Sequence, residues 1–211
     1  MKKLFFIIIL SLNCYFINNT FSFGGVLSVT TGESKLEYKK AYFAGGCFWC
    51  MEESFDKVKG VVKSTSGYSG GSVKNPTYKQ VVYEKTGHVE TIEVLYDTKF
   101  TNYEELLKVF WQNIDPFDAN GQFCDKGESY RSVTFYQDKK QKNLIENSIT
   151  EIENKFKNKK VVTLVWVFEK FYPAEDYHQD YYQKNFLRYL AYKSGCQREE
   201  DLNRIWKKNR P

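Results

Sequence analysis

Residues 41–58 read Ala41-Tyr42-Phe43-Ala44-Gly45-Gly46-Cys47-Phe48-Trp49-Cys50-Met51-Glu52-Glu53-Ser54-Phe55-Asp56-Lys57-Val58. The apolar and aromatic run 41–43 suits a buried strand, and Ala44-Gly45-Gly46 breaks it. From Cys47 onward Phe48, Met51, Phe55 and Val58 recur at spacings of three and four, the stripe of an amphipathic helix. Cys47 is therefore expected at a helix N-terminus, where unpaired backbone N–H groups favour an anion. The thiolate is the nucleophilic form of cysteine, and its ordinary pKa is about 8.5. Gly45 and Gly46 permit a sharp turn and are expected to leave the sulfur uncovered. The aromatic residues that follow, Phe48 and Trp49, are expected to border a pocket that takes an apolar group.

Outward from this unit, Val61-Val62 begins a strand that runs into a glycine-rich loop, Gly67-Tyr68-Ser69-Gly70-Gly71, continuing through Asn75-Pro76-Thr77-Tyr78. His88 to Tyr96 alternates as a strand with mixed sides and carries Glu90 among apolar neighbours. Partial burial there would raise the pKa of Glu90 and keep it protonated as an acid. Thr101 precedes a capping pattern, and Leu106, Leu107, Phe110, Trp111 and Ile114 make a helix stripe that stops at Asp115-Pro116. A polar segment with Cys124 and Asp125 leads into an alternating strand, Tyr130 to Tyr136, and Asp138 caps a charged helix reaching Phe156. Val161 to Phe168 reads as a buried strand, and the aromatic-rich stretch from Pro173 onward as irregular chain with short helices. The expected fold class is α+β, a two-layer α/β sandwich in which helices pack on a mixed or antiparallel sheet.

The chain has 211 residues, 42% hydrophobic and 18% aromatic, enough for one sizeable core and too little for two. Met1-Lys2-Lys3 and the apolar run Leu4 to Leu10 have the form of a secretory leader, too short to span a bilayer, with cleavage expected near Ser22. Residues 23–36 then form a linker and 37–211 a single domain, exported to a periplasmic or extracellular space. A lipoprotein reading through Cys14 ranks lower, because Leu12 and Asn13 stand where small residues are wanted. Losing residues 1–22 removes two lysines and no acids, leaving a net charge of +3. No helix concentrates basic with base-stacking residues, which argues against nucleic-acid binding, and no stable membrane insertion is expected once the leader is gone.

Four cysteines then remain: Cys47, Cys50, Cys124 and Cys196. Two structural disulfides in a non-catalytic exported domain would use all four. A zinc site would want four ligands, and neither cysteine, His88 nor His178 supplies a second closely spaced pair. Thioredoxin-like disulfide exchange through Cys47 and Cys50 is the stronger rival, since there too a C-x-x-C opens a helix after a strand. Disulfide exchange has no need of an acid such as Glu90 facing the nucleophile. His88 and His178 read as structural.

Phe43-Ala44-Gly45-Gly46-Cys47-Phe48-Trp49-Cys50-Met51-Glu52 resembles the nucleophile motif of the peptide methionine sulfoxide reductase A family. The likeness continues through Gly67-Tyr68-Ser69-Gly70-Gly71, Asn75-Pro76-Thr77-Tyr78, Gly87-His88-Val89-Glu90, Ser129-Tyr130-Arg131-Ser132 and Glu175-Asp176-Tyr177-His178-Gln179-Asp180-Tyr181. This resemblance implies a ferredoxin-like α/β core and reduction of the S epimer of methionine sulfoxide, free or in oxidised proteins and peptides. It implies no metal and no cofactor beyond an external dithiol reductant such as a thioredoxin-like protein. Cys47 matches the nucleophile, Phe48 and Trp49 the walls around the substrate's S-methyl group, and Glu90 the acid. Tyr78, Asp125 and Tyr130 match polar groups that hydrogen-bond in the pocket. A second thiol must then condense with the Cys47 sulfenic acid. Cys196, expected on a mobile glycine-containing tail, resembles the family's C-terminal recycling cysteine. Cys124 departs from the commoner glycine and asparagine of its loop, Cys50 lies one helical turn from Cys47, and a relay through two of these thiols stays open.

Overall fold

A computed structural model describes residues 37–206; the expected leader, the linker and Cys14 lie outside them. Strand β1 (Tyr38–Gly45) runs to the double glycine and helix α1 (Phe48–Asp56) follows, as the spacing demands. The chain then passes through β2 (Val61–Ser69), α2 (Tyr78–Tyr83), β3 (Val89–Asp97) and α3 (Tyr103–Gln112). A small hairpin, β4 (Gly121–Gln122) and β5 (Asp125–Lys126), precedes β6 (Ser132–Tyr136) and α4 (Lys139–Lys155). The edge strands β7 (Leu164–Val167) and β8 (Phe171–Pro173) and three helices, α5 (Tyr181–Lys184), α6 (Phe186–Gly195) and α7 (Arg198–Trp206), complete the described residues.

Six strands form one mixed sheet in the order β7-β6-β1-β3-β2-β8, antiparallel throughout except for the parallel pair β6 and β7. Sheet and packed helices make an α+β fold, as expected. Helices α1, α3, α4 and α7 cover one face, where Phe43, Ile92, Phe55, Leu106, Phe110 and Trp206 meet. Each such side chain, removed from water, contributes on the order of 1.5–3 kcal/mol. The reverse face, with Tyr42, Val89 and Phe135, is covered by Trp166, Phe168 and Phe171.

Those last three residues report a curl. β7 and β8 stand at opposite edges of the sheet, five strand spacings apart, which in a flat sheet is roughly 24 Å. The chain crosses from Val167 to Phe171 in four Cα steps, a reach of at most about 14 Å. The sheet must therefore bend until its edges approach, and Phe168 stacks on Tyr42 at 3.7 Å between ring centroids inside the curve.

Several local expectations change. The α3 cap is Asn102, whose side chain accepts from the Glu105 N–H; Thr101 stands one residue too early. The expected loop through Tyr78 ends instead at a capping box, Thr77 with Gln80, that starts α2. The strand expected to be buried over 161–168 is a half-exposed edge strand of four residues, because its β-branched run lies at the sheet margin. The stretch after Pro173, expected as mostly irregular with short helices, does hold helices, but α5, α6 and α7 take up most of it, and it ends with Trp206 buried in the main core.

Candidate active site

β1 ends at Gly45, level with the start of β6 through the pair Gly45 and Ser132. On its other side β3 begins, and Tyr68 of β2 pairs with Glu90. Antiparallel pairing thus gathers the end of β1, the start of β3, the end of β2 and the start of β6 at one rim of the sheet, and α1 starts there. Gly46 makes the turn at φ +76°, and a side chain on it would run into Gln122.

Cys47 is the N-cap of α1. Its sulfur borders a cavity of about 60 Å³ whose walls include Phe48, Trp49, Tyr78, Glu90, Asp125 and Tyr130. Every residue expected to bind substrate or donate the proton therefore meets at one place. The acid is held from below: the Phe48 N–H donates to Glu90 Oε2 at 2.9 Å. Glu90 is 2% exposed, and burial pushes its carboxyl well above the usual carboxylate range, outweighing the Phe48 N–H. A neutral acid and a sulfur thus share one small, largely dry space. Tyr130 and Tyr78 face the same cavity, and the start of α2 is fixed by Glu175, which accepts from the Tyr78 N–H at 2.9 Å and from the Tyr68 hydroxyl at 2.8 Å.

The sulfur is not uncovered, contrary to expectation: Cys47 is 4% exposed, because the aromatic residues after Asp180 close over it. Tyr181 stacks on Trp49 at 3.8 Å and Tyr192 meets the same indole edge-on. Nor does the helix N-terminus alone decide which sulfur is ionised. Burial pushes the Cys47 thiol up, and the neighbouring Cys50, Glu90 and Asp125 push the same way. Cys50 is pulled down to about 6, chiefly by a hydrogen bond from Cys47 and then by the Arg198 cation and the Tyr189 hydroxyl. Within the pair, ionisation is favoured at Cys50 over Cys47. Arg198, 3% exposed, bonds only carbonyl oxygens and the Met51 sulfur around it, Gly45 O at 3.0 Å and Asn113 O at 2.7 Å among them. Its positive charge favours the ionised form of Cys50.

Both histidines are structural. His178 is buried and its pKa falls to about 4, mainly by desolvation, so the ring is neutral; its Nδ1 accepts from the Trp49 indole N–H at 3.2 Å, which fixes the pocket wall. His88 Nδ1 accepts from the Gly71 N–H, and its Nε2 meets the Val73 carbonyl, pinning the glycine-rich loop.

Cys196 is not on an irregular tail. It closes α6, its N–H donating to Tyr192 O, and it is disulfide-bonded to Cys124 with Cα atoms 5.0 Å apart. The two remaining cysteines, Cys47 and Cys50, are free. The disulfide joins the β4–β5 hairpin to α6 at the mouth of the cavity, beside a second tie in which the Tyr192 hydroxyl donates to Asp125 at 2.5 Å. Tyr192 also lines the cavity. Sequence reading missed it, along with Arg198 and Glu175; the aromatic spacing 181, 189, 192 was the signal available, and it reads equally well as core.

The family model for peptide methionine sulfoxide reductase matches residues 39–210. The chain is 45% identical over 175 residues to a peptide methionine sulfoxide reductase MsrA of Listeria monocytogenes, covering 82% of this chain and 99% of that one. It is 46% identical over 179 residues to an MsrA/MsrB protein of Vibrio cholerae, covering 84% of this chain and 47% of that protein, so it spans about half of that relative. Among solved structures it is similar to Mxr1 of Saccharomyces cerevisiae in reduced form, with a TM-score of 0.66 and 30% identity over 72% of this chain and 91% of that one. It is also similar to methionine sulfoxide reductase A of Corynebacterium diphtheriae, with a TM-score of 0.64 and 28% identity over 71% and 76% of the two chains.

Proposed function

The chain belongs to the peptide methionine sulfoxide reductase A family, whose reaction is the reduction of methionine sulfoxide, and from that premise we propose which of its residues carry each step. The observation that carries the assignment is the cavity in which the Cys47 sulfur and the buried, protonated Glu90 are joined by aromatic walls. A sulfoxide sulfur becomes electrophilic as its oxygen gains a proton, so the acid and the nucleophile must reach the substrate together. Glu90 gives its proton to the sulfoxide oxygen while Cys47 attacks the sulfur, and the Cys47 proton passes to the Cys50 thiolate. Methionine leaves, Cys47 carries the oxygen as a sulfenic acid, and Glu90 recovers its proton from Cys50. Phe48 and Trp49 face the S-methyl group, and Tyr78, Tyr130 and Asp125 orient the polar atoms. By family resemblance the S epimer is the substrate, free or in oxidised proteins and peptides.

Cys196 then condenses with the sulfenic acid, releasing water and forming a Cys47–Cys196 bond, and Cys124 displaces Cys47 to leave the Cys124–Cys196 disulfide. That bond, with Cys47 and Cys50 free, supports a relay through Cys196 and Cys124 over a resting Cys47–Cys50 pair. A thioredoxin-like dithiol protein restores the thiols. The charged and apolar leader residues support export, where a membrane-fed reductant would be needed.

The test mixes reduced protein with a sulfoxide-containing peptide and follows methionine release against thiol loss in one turnover. Two thiols lost per methionine, with a Cys124–Cys196 bond by peptide mass mapping, is the expected result. Methionine release by Cys47→Ser at the parent rate would overturn the assignment.

A further inference from the structure

We infer that the external reductant enters the protein at the Cys124 sulfur, with Cys196 as the leaving thiolate, so that Cys124 is its electron-entry port. The inference rests on the relay just proposed and adds its direction. A disulfide has two sulfurs, and which one a thiolate attacks depends on access and on how well the other leaves. The two sulfurs here differ on both counts.

Cys124 lies at the tip of the two-stranded hairpin and is exposed, whereas Cys196 is half-buried at the end of α6. On α6, Cys196 lies on the side of Tyr189 and Tyr192, the former buried against Cys47 and Cys50 and the latter lining the active-site cavity. An incoming protein thiolate thus meets Cys124 from solvent and Cys196 only through packed helices. This placement also suits the inner sulfur to be the first partner of the Cys47 sulfenic acid and the outer one the last.

The leaving step points the same way. During exchange negative charge collects on the two outer sulfurs of the three, the attacking and the departing one, and least on the sulfur between them. If Cys124 is attacked, it is the middle sulfur, and a carboxylate oxygen of Asp125 stands 3.7 Å from it. The departing charge then falls on Cys196, just ahead of α7, a helix of nine residues whose N-terminal backbone N–H groups favour an anion and whose first turn also carries Glu199, Glu200 and Asp201, which oppose one. Arg198, two residues on, lies with its guanidinium 4.5 Å from the Phe123 ring, next to Cys124. Attack in the opposite sense would leave the charge on Cys124, at the hairpin tip with no helix start ahead of it; the Asp125 carboxylate lies within 4.8 Å of both sulfurs and so does not separate them. The balanced step is therefore a dithiol thiolate joining Cys124 and releasing the Cys196 thiolate. The reductant's second thiol then takes back its partner sulfur and frees Cys124, two electrons passing in all.

The experiment uses the full chain, oxidised by one equivalent of sulfoxide peptide, and a thioredoxin-like trap whose second active-site cysteine is serine. After alkylation of free thiols and digestion, the trap is expected on Cys124 with Cys196 alkylated. A trap on Cys196 with Cys124 alkylated overturns the inference and leaves the relay standing. An oxidised enzyme that holds a Cys47–Cys50 bond, with Cys124 and Cys196 both alkylated, overturns the relay and the inference together. As a second measurement, Cys124→Ser removes the proposed entry sulfur. Its steady turnover should drop about tenfold or more with the protein reductant and recover with a small dithiol that reaches inner sulfurs. Unchanged turnover with the protein reductant overturns the port.

Discussion

The inner cysteines are three residues apart on one helix turn, buried and unbonded; the outer cysteines are 72 residues apart, at the surface and joined. Proximity in sequence would have paired them the other way. The difference teaches that one pair is built to divide a charge and the other to divide a bond. Inside, burial makes two anions too costly, and the surroundings push Cys47 up and Cys50 down, with Arg198 favouring charge on the latter. Outside, the hairpin and α6 bring two distant sulfurs within bonding reach, with Cys124 facing solvent.

Removing one member of each pair gives the largest contrast. Cys47→Ser is expected to release no methionine, while Cys196→Ser still releases one equivalent per enzyme and then stops, read by rapid quench. If Cys196→Ser also fails in the first turnover, the division of roles collapses. Glu90→Gln keeps an acceptor for the Phe48 N–H and loses the acid; its single-turnover rate is expected to fall about 10²–10³-fold, with the fold intact by circular dichroism.

Arg198→Gln strikes a side chain close to both pairs, since it holds Gly45 ahead of Cys47 and follows Cys196 by two residues. Leaving two buried carbonyls short of a charged donor should cost on the order of 2–4 kcal/mol by denaturant unfolding, and thiolate titration should move Cys50 upward. The smallest effect is on the pH profile of stability. The Cys50 value in the folded protein is about 6, below its ordinary 9.0, so the thiolate's contribution is full above pH 9 and is lost as pH falls through 6. Cys50→Ser should flatten the rise in unfolding free energy across that window, and an unflattened curve would put the charge elsewhere.

Much of this could be read before any coordinates. The strand, double glycine and helix around Cys47 were legible because periodicity changes from two to 3.6 at a glycine break. Glu90 was legible as a carboxyl set among apolar residues, and Tyr78, Asp125 and Tyr130 through resemblance alone. The covering of Cys47 was not, because Tyr181 and Tyr192 arrive from helices more than 130 residues later, where an aromatic stripe looks the same whether it lines a pocket or fills a core. The outer disulfide left no local signature: Cys124 and Cys196 meet only after the hairpin and α6 have packed. Nor is the charge on Cys50 visible in a C-x-x-C, since Arg198 and Tyr189 impose it from elsewhere.

The three residues Phe168-Glu169-Lys170 between β7 and β8 bear on how the molecule is assembled. Two strands adjacent in sequence occupy opposite margins of the sheet, so neither can find its partner until the four strands between them stand in order. Such a link acts as the clasp of a nearly closed ring: it raises the share of long-range contacts and makes this closure a late and slow event. Amide protons of 164–173 should therefore be the first in the sheet to exchange through partial opening. Lengthening the link by a few glycines would slacken the clasp, whose far end meets the sheet at Ser69, the end of β2.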